Sequence, residues 1–177
     1  MTQTQPAPVE LPTGGEQLEL LPPRNRVERR AIGWWTAGAV IRVALIVGAL
    51  ATGYGLAVSA RPWLGPALIV ASIAGALYVA VMPTWRYLVH RWETTDEAVY
   101  TLTGWFVREW RVAPISRIQT VDRVRGPVQQ LLGLATVTVT TASVHGAMRI
   151  AGLDADVAAR TAQQLTMITQ AVPGDAT

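Results

Sequence analysis

Length, composition and charge already narrow the class of this protein. It has 177 residues, half of them hydrophobic, and its mean hydropathy of +0.27 is too high for a purely soluble domain, so we expect one modest domain together with a membrane segment. All 15 basic residues are arginine and 12 residues are acidic. The net charge of only +3 indicates that the chain has no large basic field, and no basic stripe with stacking aromatics is free of acidic neighbours, which argues against nucleic-acid binding. The absence of cysteine excludes disulfides and thiolate metal sites.

The N-terminal segment, residues 1–23, is predicted to be a disordered tail. It contains five prolines, the pair Gly14-Gly15 and three glutamates, with too few bulky residues to bury a core. A basic start followed directly by an apolar region is missing, so the segment lacks the pattern of a secretory signal peptide. A basic flank of four arginines follows, at positions 24, 26, 29 and 30.

Residues 24–85 are predicted to form a two-span transmembrane hairpin that begins with this basic flank. The apolar run 31–60 contains a single charge, Arg42, and residues 43–60 are uncharged. As a helix, that uncharged stretch is about 27 Å long, close to the hydrocarbon thickness of about 30 Å. Arg61-Pro62 is the expected turn, and residues 64–82 form the expected second span.

Three further features of the hairpin can be interpreted from the sequence. Pro83 is expected to end the second span. Tryptophans flank both spans, as interfacial aromatic belts do. Small residues recur along both spans and are expected to pack the two helices against each other, the alternative being contact with a second protomer; they are Ala44, Gly48, Ala51 and Gly55 in the first span and Ala67, Ala71, Ala74 and Gly75 in the second.

The distribution of arginines predicts the orientation in the membrane. Four arginines precede the hairpin and Arg86 and Arg91 follow it, whereas the turn carries only Arg61. Because arginine-rich flanks stay on the cytoplasmic side, we expect a multi-pass protein of the cytoplasmic (inner) membrane, with both termini and the following domain in the cytoplasm.

Arg42 lies within the first span, where a charge costs about 2.5–3.5 kcal/mol on insertion scales. It is about two turns from Trp34 and Trp35. Its long side chain can therefore carry the guanidinium back to the headgroups. The alternative is a functional role, in which Arg42 binds a lipid phosphate or an acidic group of a partner.

Strand patterns replace the apolar runs after the second span, and residues 86–172 are predicted to form one cytoplasmic domain, followed by a flexible tail at 173–177. Six short strands are expected, at 87–92, 98–103, 105–112, 118–124, 134–141 and 148–150. An amphipathic helix follows, from an N-cap at Asp154 to about Gln170. Residues 143–146 are the expected turn before the last strand. The pattern alone predicts an α+β fold, with a sheet followed by a helix.

The connection between the fourth and fifth strands has a distinctive order of residues. Gly126-Pro127 is expected to end the strand and begin a helical turn at 128–132, and Gly133 to close that turn in a left-handed conformation. The spacing of Val128, Leu131 and Leu132 is expected to bury all three beneath the turn.

The strand that precedes this connection is irregular. Ile118, Val121 and Val124 are three residues apart, whereas a strand alternates every two. Either a bulge near Thr120 re-aims the chain or one of the three side chains faces solvent.

The residues Arg117-Ile118-Gln119, Gly126-Pro127 and 132–136 (LGLAT) closely resemble the bacterial PH-like domain family, specifically its small YdbS-like membrane proteins. The resemblance implies a small, strongly bent sheet or barrel capped by the C-terminal helix. It also implies that Gln119, Gly126, Pro127 and Gly133 form an architectural motif.

The resemblance further implies a function. Members of this family resemble accessory or scaffold components, some associated with export or with resistance to toxic peptides. We therefore expect a membrane-anchored interaction module that assembles with itself or with a second PH-like membrane protein, through an open strand edge or the groove beside the terminal helix. No cofactor is expected, and no nucleic-acid partner.

Catalytic motifs are missing from the sequence. The two histidines, His90 and His145, lie in different predicted elements, and HExxH, GxSxG and Walker patterns are absent. We therefore predict that the protein is not an enzyme.

Lipid binding is the alternative function. Five arginines lie on neighbouring predicted strands close to the membrane and could meet anionic headgroups; they are Arg108, Arg111, Arg117, Arg123 and Arg125. Glu109 and Asp122 interleave with them, so cross-strand ion pairs explain the same residues. The first predicted hairpin loop, 93–97, is acidic, which argues against an inositol-phosphate pocket of the eukaryotic PH type.

Overall fold

The computed structural model describes residues 23–141 and 146–171, with the side chain of residue 171 left out. The predicted tail at 1–23 lies outside the described residues except for Pro23. The predicted flexible tail at 173–177 also lies outside them, as does most of the expected turn at 143–146.

The chain opens with a hairpin of two long helices, α1 (Ala31–Leu56) and α2 (Arg61–Val89), joined by a short 3-10 turn at Val58–Ala60. Both are long and apolar enough to cross a membrane. Arg61-Pro62 begins α2 and does not form the turn, because proline is tolerated in the first turn of a helix, where its missing N–H leaves no bond unmade.

The prediction that Pro83 ends the second span is wrong. Pro83 lies inside α2, which continues to Val89, so the expected strand at 87–92 begins only at Arg91. Met82, Pro83 and Val89 are buried, and this packing stabilises the last turns of the helix despite the hydrogen bond that proline cannot make.

Within the described residues, seven strands form two open sheets. The first sheet has the order β1-β2-β3-β4, and its strands are β1 (Asn25–Arg26), β2 (Arg91–Thr94), β3 (Ala98–Gly104) and β4 (Arg108–Pro114). β1 comes from the basic flank before the hairpin, so this flank takes part in the domain. Residues 105–107, predicted to begin a strand, form the turn between β3 and β4 instead.

The second sheet has the order β5-β6-β7, with β5 (Ile118–Val124), β6 (Leu134–Thr141) and β7 (Met148–Asp154). The β5–β6 register shifts between Ile118 and Thr120, which confirms the bulge. Val124 is also exposed, so both explanations of the irregular spacing apply.

Two further helices complete the domain: α3 (Pro127–Leu131) and α4 (Ala155–Ala171). The core lies where the two sheets, α4 and the first turns of α1 meet; its largest fully buried side chains include Leu134, Ile150, Leu153, Leu165 and Val137. The predicted fold class, a membrane hairpin followed by an α+β PH-like domain, is confirmed, with open sheets in place of a closed barrel.

The domain is docked directly on the base of the hairpin. Gly152 in β7 has φ +82°, and a Cβ there would lie 2.7 Å from the Cβ of Ala31 and 3.7 Å from Trp35. The Glu28 N–H donates to the Gly152 carbonyl at 2.9 Å. The sheet therefore bonds to the backbone just before α1 and approaches the side chain of Ala31 at the start of the helix, an approach that only glycine permits.

The expectation that the small residues pack the two spans together is correct for Gly75 and wrong for most of the first span. A Cβ at Gly75 would lie 2.5 Å from Val43 Cγ1, whereas no described heavy atom lies within 4 Å of one built at Gly48 or Gly55. Ala44 and Ala51 are exposed as well. These four small residues of α1 therefore lie on the face turned away from α2.

Candidate functional site

A groove of about 310 Å³ follows the outer edge of β4. Residues 109–114 line one side consecutively, and Arg117, Thr141, Gly146 and Met148 complete it. Because successive side chains of a strand point to opposite faces, six consecutive lining residues mean that the groove runs along the backbone edge of the strand. β4 is the last strand of its sheet, so this edge faces the groove.

A second, larger cavity of about 550 Å³ lies between the facing sides of the two sheets. Thr101, Thr103, Glu109 and Arg111 line it from the first sheet, and Thr136, Thr138 and Arg149 from the second. The pairs Thr101↔Arg111, Thr103↔Glu109 and Thr138↔Arg149 lie side by side on their sheets. Thr136 and Thr138 of β6 therefore face a polar cleft.

His90 lies at the wall of this cavity, where α2 ends. It is buried, its ring packs edge-on against Trp35 at 5.2 Å, and its Nδ1 has no hydrogen-bond partner among the residues described. The Arg86 guanidinium stacks 4.7 Å over the same Trp35 ring. Burial, and then the charge of Arg86, lower the pKa of His90 to about 4, so the imidazole is neutral at pH 7.

The structure does not gather the five predicted arginines into one patch. Arg111 and Arg117 line the β4 groove, Arg108 lies beside Trp85 and Leu88 of α2, and Arg123 and Arg125 belong to the other sheet and its following turn. Arg111 pairs with Glu109 at 2.6 Å on its own strand, and the Arg125 Nε donates to the Leu134 carbonyl at 3.1 Å. The expected cross-strand pairing with Asp122 is absent from the described ion pairs, because the carboxylate instead lies 3.4 Å from the Thr120 hydroxyl.

Comparison with known proteins shows which family the chain belongs to. The family model of the bacterial PH domain matches residues 40–167. The chain belongs to this family. It is also 28% identical over 109 residues to the transmembrane protein YdbS of Bacillus subtilis (strain 168), a match that covers 60% of this chain and 69% of YdbS. No solved structure matches the chain.

The segment at 126–133 has the local conformation that its residues predict. Pro127 begins α3, Gly126 precedes it, and Gly133 has φ +65°. Gln119 lies exposed at the bulge. Gln129, which the sequence did not single out, is buried: its Oε1 accepts from the Gly126 N–H at 3.0 Å and its Nε2 donates to Thr136 Oγ1 at 2.8 Å. The amide thus ties α3 to β6.

One predicted feature of this motif is wrong. Leu131, expected to be buried beneath the turn, is 88% exposed, whereas Leu132 packs partly buried against the core. In a helix of five residues, only one face can contact the sheet, and Gln129 occupies it.

Arg30 is a structural residue of the PH domain. The sequence alone indicates only that it is one of the arginines that predict the orientation in the membrane. Its Nη2 lies 2.6 Å from Asp154 Oδ2 and its Nη1 donates to the Leu132 carbonyl at 3.0 Å. Asp154 caps α4 as predicted, accepting from the Asp156 N–H at 2.9 Å. That bond and then Arg30 hold the pKa of Asp154 below its usual value. No local sequence signal could have revealed contacts spanning more than 100 residues.

Arg42 has a protein partner within the hairpin. Its Nη2 donates to the Tyr78 hydroxyl at 3.3 Å, and its guanidinium lies 6.0 Å from the centre of the Tyr78 ring. Among the described residues, no group of three or more histidine, aspartate or glutamate side chains could hold a metal ion. Two cavities on the sheets are large enough to take a ligand, the β4 groove and the cavity between the sheets.

Proposed function

We propose that this bacterial PH domain protein is a non-enzymatic, membrane-anchored assembly module, which binds a second copy of itself or another PH-like membrane protein by strand addition at β4. The observation that carries the proposal is the groove along six consecutive residues of this edge strand. An unpaired strand edge offers a row of backbone donors and acceptors to an extended segment.

The chemistry of the groove supports an extended chain over a compact ligand. Its lining alternates the apolar residues Trp110, Val112 and Pro114 with Glu109 and Arg111, so alternate side chains of an added strand meet different surroundings. The same charges at an edge keep it from pairing with unrelated strands. Arg117 at the end of the groove favours an acidic residue in the bound segment.

Single-cysteine crosslinking tests this proposal, because the native chain contains no cysteine. Two copies with different affinity tags, each carrying Val112→Cys, are co-expressed and treated with a short bifunctional maleimide in native membranes. Val112 is exposed on β4, and we expect a crosslinked product containing both tags. The matched control, Gln163→Cys on the exposed face of α4, is expected to give none.

A crosslink through residue 163 but not through residue 112 would move the assembly surface to the terminal helix. Absence of both products, while the two tags still co-purify, would show that assembly uses the membrane helices. Absence of both products without co-purification would rule out self-assembly, and the same variants would then be tested against a PH-like membrane protein of the same cell.

We further propose that both termini and the PH domain face the cytoplasm, on the basis of the arginine distribution across the hairpin. Reporter fusions after Thr177 and within residues 57–60 would report opposite sides. A reporter after Thr177 that is active outside the membrane contradicts this orientation. The link to export or to resistance against toxic peptides rests on the family resemblance alone and stays a prediction.

Binding of an anionic lipid headgroup is a second candidate function, favoured by one observation. The cavity between the sheets is lined by Arg86, Arg111 and Arg149 with a single carboxylate, Glu109, and by Trp34 at the base of α1. In nanodiscs, an anionic lipid would then raise the thermal unfolding midpoint over that in zwitterionic lipid alone, and Arg149→Gln would reduce the increase. An equal midpoint in both lipids excludes this candidate.

A further inference from the structure

The turn between β3 and β4 carries an exposed apolar tip, which consists of Trp105, Phe106 and Val107. Their side chains are 42%, 86% and 74% exposed. A turn that joins two strands is usually polar, because it faces water. Three consecutive large apolar residues at the end of a hairpin therefore indicate a surface that is covered by something other than water.

The tip has a fixed shape. Gly104 has φ +111°, and a Cβ there would overlap the Val107 carbonyl oxygen, so the turn closes tightly over a residue that must be glycine. The Trp105 and Phe106 rings lie 6.1 Å apart. The apolar side chains are thus held outward on a rigid turn.

The tip contacts a membrane-spanning helix. Trp105 packs edge-on against Tyr78 of α2, with ring centroids 5.9 Å apart. Tyr78 lies seven residues before Trp85, the exposed tryptophan at the domain end of α2, which is about 10 Å along a helix at about 1.5 Å per residue. Since tryptophans mark the membrane interface, Tyr78 and the tip beside it lie on the hydrocarbon side of that interface.

Polar and charged groups flank the tip at the level where headgroups are expected. Arg108 follows Val107 directly and, with Arg91, lines a groove against Trp85 and Leu88. Arginine and tryptophan beside an apolar tip are typical of a segment that inserts shallowly into a leaflet.

We propose that the 105–107 tip inserts into the leaflet nearest the PH domain, beside α2, and that its occupant is the acyl region of the bilayer. The domain then has a third attachment to the membrane besides the two helices, and this attachment fixes its tilt. β4 begins at this tip, so insertion also sets the direction in which the strand leaves the membrane. The inference does not depend on strand addition at β4.

Depth-dependent fluorescence tests the inference on the full chain in proteoliposomes. Phe106→Cys, labelled with the environment-sensitive dye NBD, is expected to give blue-shifted emission, quenching by lipids brominated on their acyl chains and protection from aqueous iodide. Val107→Cys is expected to behave in the same way.

The matched control is Ser116→Cys, an exposed position two residues before Ile118. The tip lies at the start of β4, next to Arg108, whereas Ser116 lies just beyond the other end of the strand at Pro114. β4 spans about 20 Å between these ends at about 3.3 Å per residue. NBD at residue 116 should therefore be quenched by iodide and insensitive to brominated lipid.

Iodide quenching at residues 106 and 107 equal to that at residue 116 would overturn the inference. So would protection from iodide without quenching by brominated lipid, because that combination means that a protein surface covers the tip. A mutational arm needs no dye: Phe106→Ser should leave the unfolding midpoint in detergent unchanged and raise the accessibility of a cysteine at 107 in liposomes several-fold.

Discussion

The two halves of the helical hairpin have similar apolar composition and opposite surroundings. Near the PH domain, Ala31, Trp35, Ala39, Met82 and Val89 are buried against protein. Beyond residue 40 of α1 and before residue 82 of α2, large apolar side chains are mostly exposed; they include Leu45, Ile46, Ile69, Val70, Ile73 and Leu77. Hydropathy alone predicts two spans and does not distinguish helix that faces lipid from helix that faces the domain.

Close backbone approach, more than hydrophobicity, separates the two halves. Where the domain packs, small residues allow the backbones to approach, as at Ala31, Ala39 and Gly152. Where lipid is the expected neighbour, branched side chains and the small residues of α1 are both exposed on the helix surface, and no close backbone contact with the domain is made. The domain is therefore bound to the hairpin by tight packing, and the outer half is held by the contact between its two helices.

Gly152→Ala should cause the largest loss of stability in the half of the hairpin that packs against the PH domain, which we call the packed half. The substitution places a Cβ 2.7 Å from that of Ala31 at φ +82°, so steric overlap of about 1–3 kcal/mol adds to a left-handed backbone cost of about 1–2 kcal/mol. We expect a total loss of roughly 2–5 kcal/mol, measured by denaturant unfolding in detergent.

The control for this prediction is Gly146→Ala. Gly146 has φ +73°, but no described heavy atom lies within 4 Å of the position that the added methyl group would take, so only the backbone cost of about 1–2 kcal/mol applies. If both variants lose the same stability, the contact between β7 and α1 contributes nothing and the domain is not docked as described.

The sequence predicted what local patterns encode and missed what distant packing decides. The bulge near Thr120, the left-handed Gly133 and the cap at Asp154 follow from spacing and residue type, and all are present. The predicted end of the second span at Pro83 is wrong because that prediction rests only on the local preference of proline. In the structure, contacts with the sheets stabilise α2 beyond this residue. Local rules fail where tertiary packing opposes them.

The candidate site shows the same limit. The five predicted arginines are close together in the sequence. However, β4 and β5 belong to different sheets, so arginines that are neighbours along the chain have different surroundings in the structure. The β4 groove depends on which strand ends a sheet, and the polar cavity depends on two sheets facing each other. Neither is a property of a single segment.

His90 makes the packed half sensitive to pH. Its pKa is about 4 in the folded state against an ordinary 6.5, so between these values the unfolded chain binds a proton that the folded chain does not. Stability from this group is therefore complete above about pH 6.5, falls as the pH drops towards 4, and changes no further below that. The total change is on the order of 3–4 kcal/mol, for about 2.5 pKa units at 1.36 kcal/mol per unit.

Unfolding midpoints of the wild type and of His90→Gln, measured between pH 7.5 and pH 4 on the full chain, isolate this effect. The difference in stability between the two proteins should shrink as the pH falls, since glutamine does not titrate. Asp154 keeps its own pKa depression in both proteins, so its loss at acid pH cancels in the comparison. Parallel pH profiles for the two proteins would mean that His90 is solvated in the folded state.

The smallest expected effect comes from comparing a glycine at the contact between the two helices with a glycine on the surface that faces outward. Gly75→Ala brings a methyl group within 2.5 Å of Val43 Cγ1, and overpacking of about 1–3 kcal/mol opposes the gain of about 1 kcal/mol from replacing glycine in a helix. We expect a net loss of about 1 kcal/mol, a shift of about 2–4 °C in the unfolding midpoint.

Gly48→Ala, which meets no described heavy atom within 4 Å, keeps only the helix gain and should raise the midpoint slightly. A lowered midpoint for Gly48→Ala that depends on protein concentration would show that the small residues of α1 pack against a second protomer, and the outer half of the hairpin would then not face lipid alone.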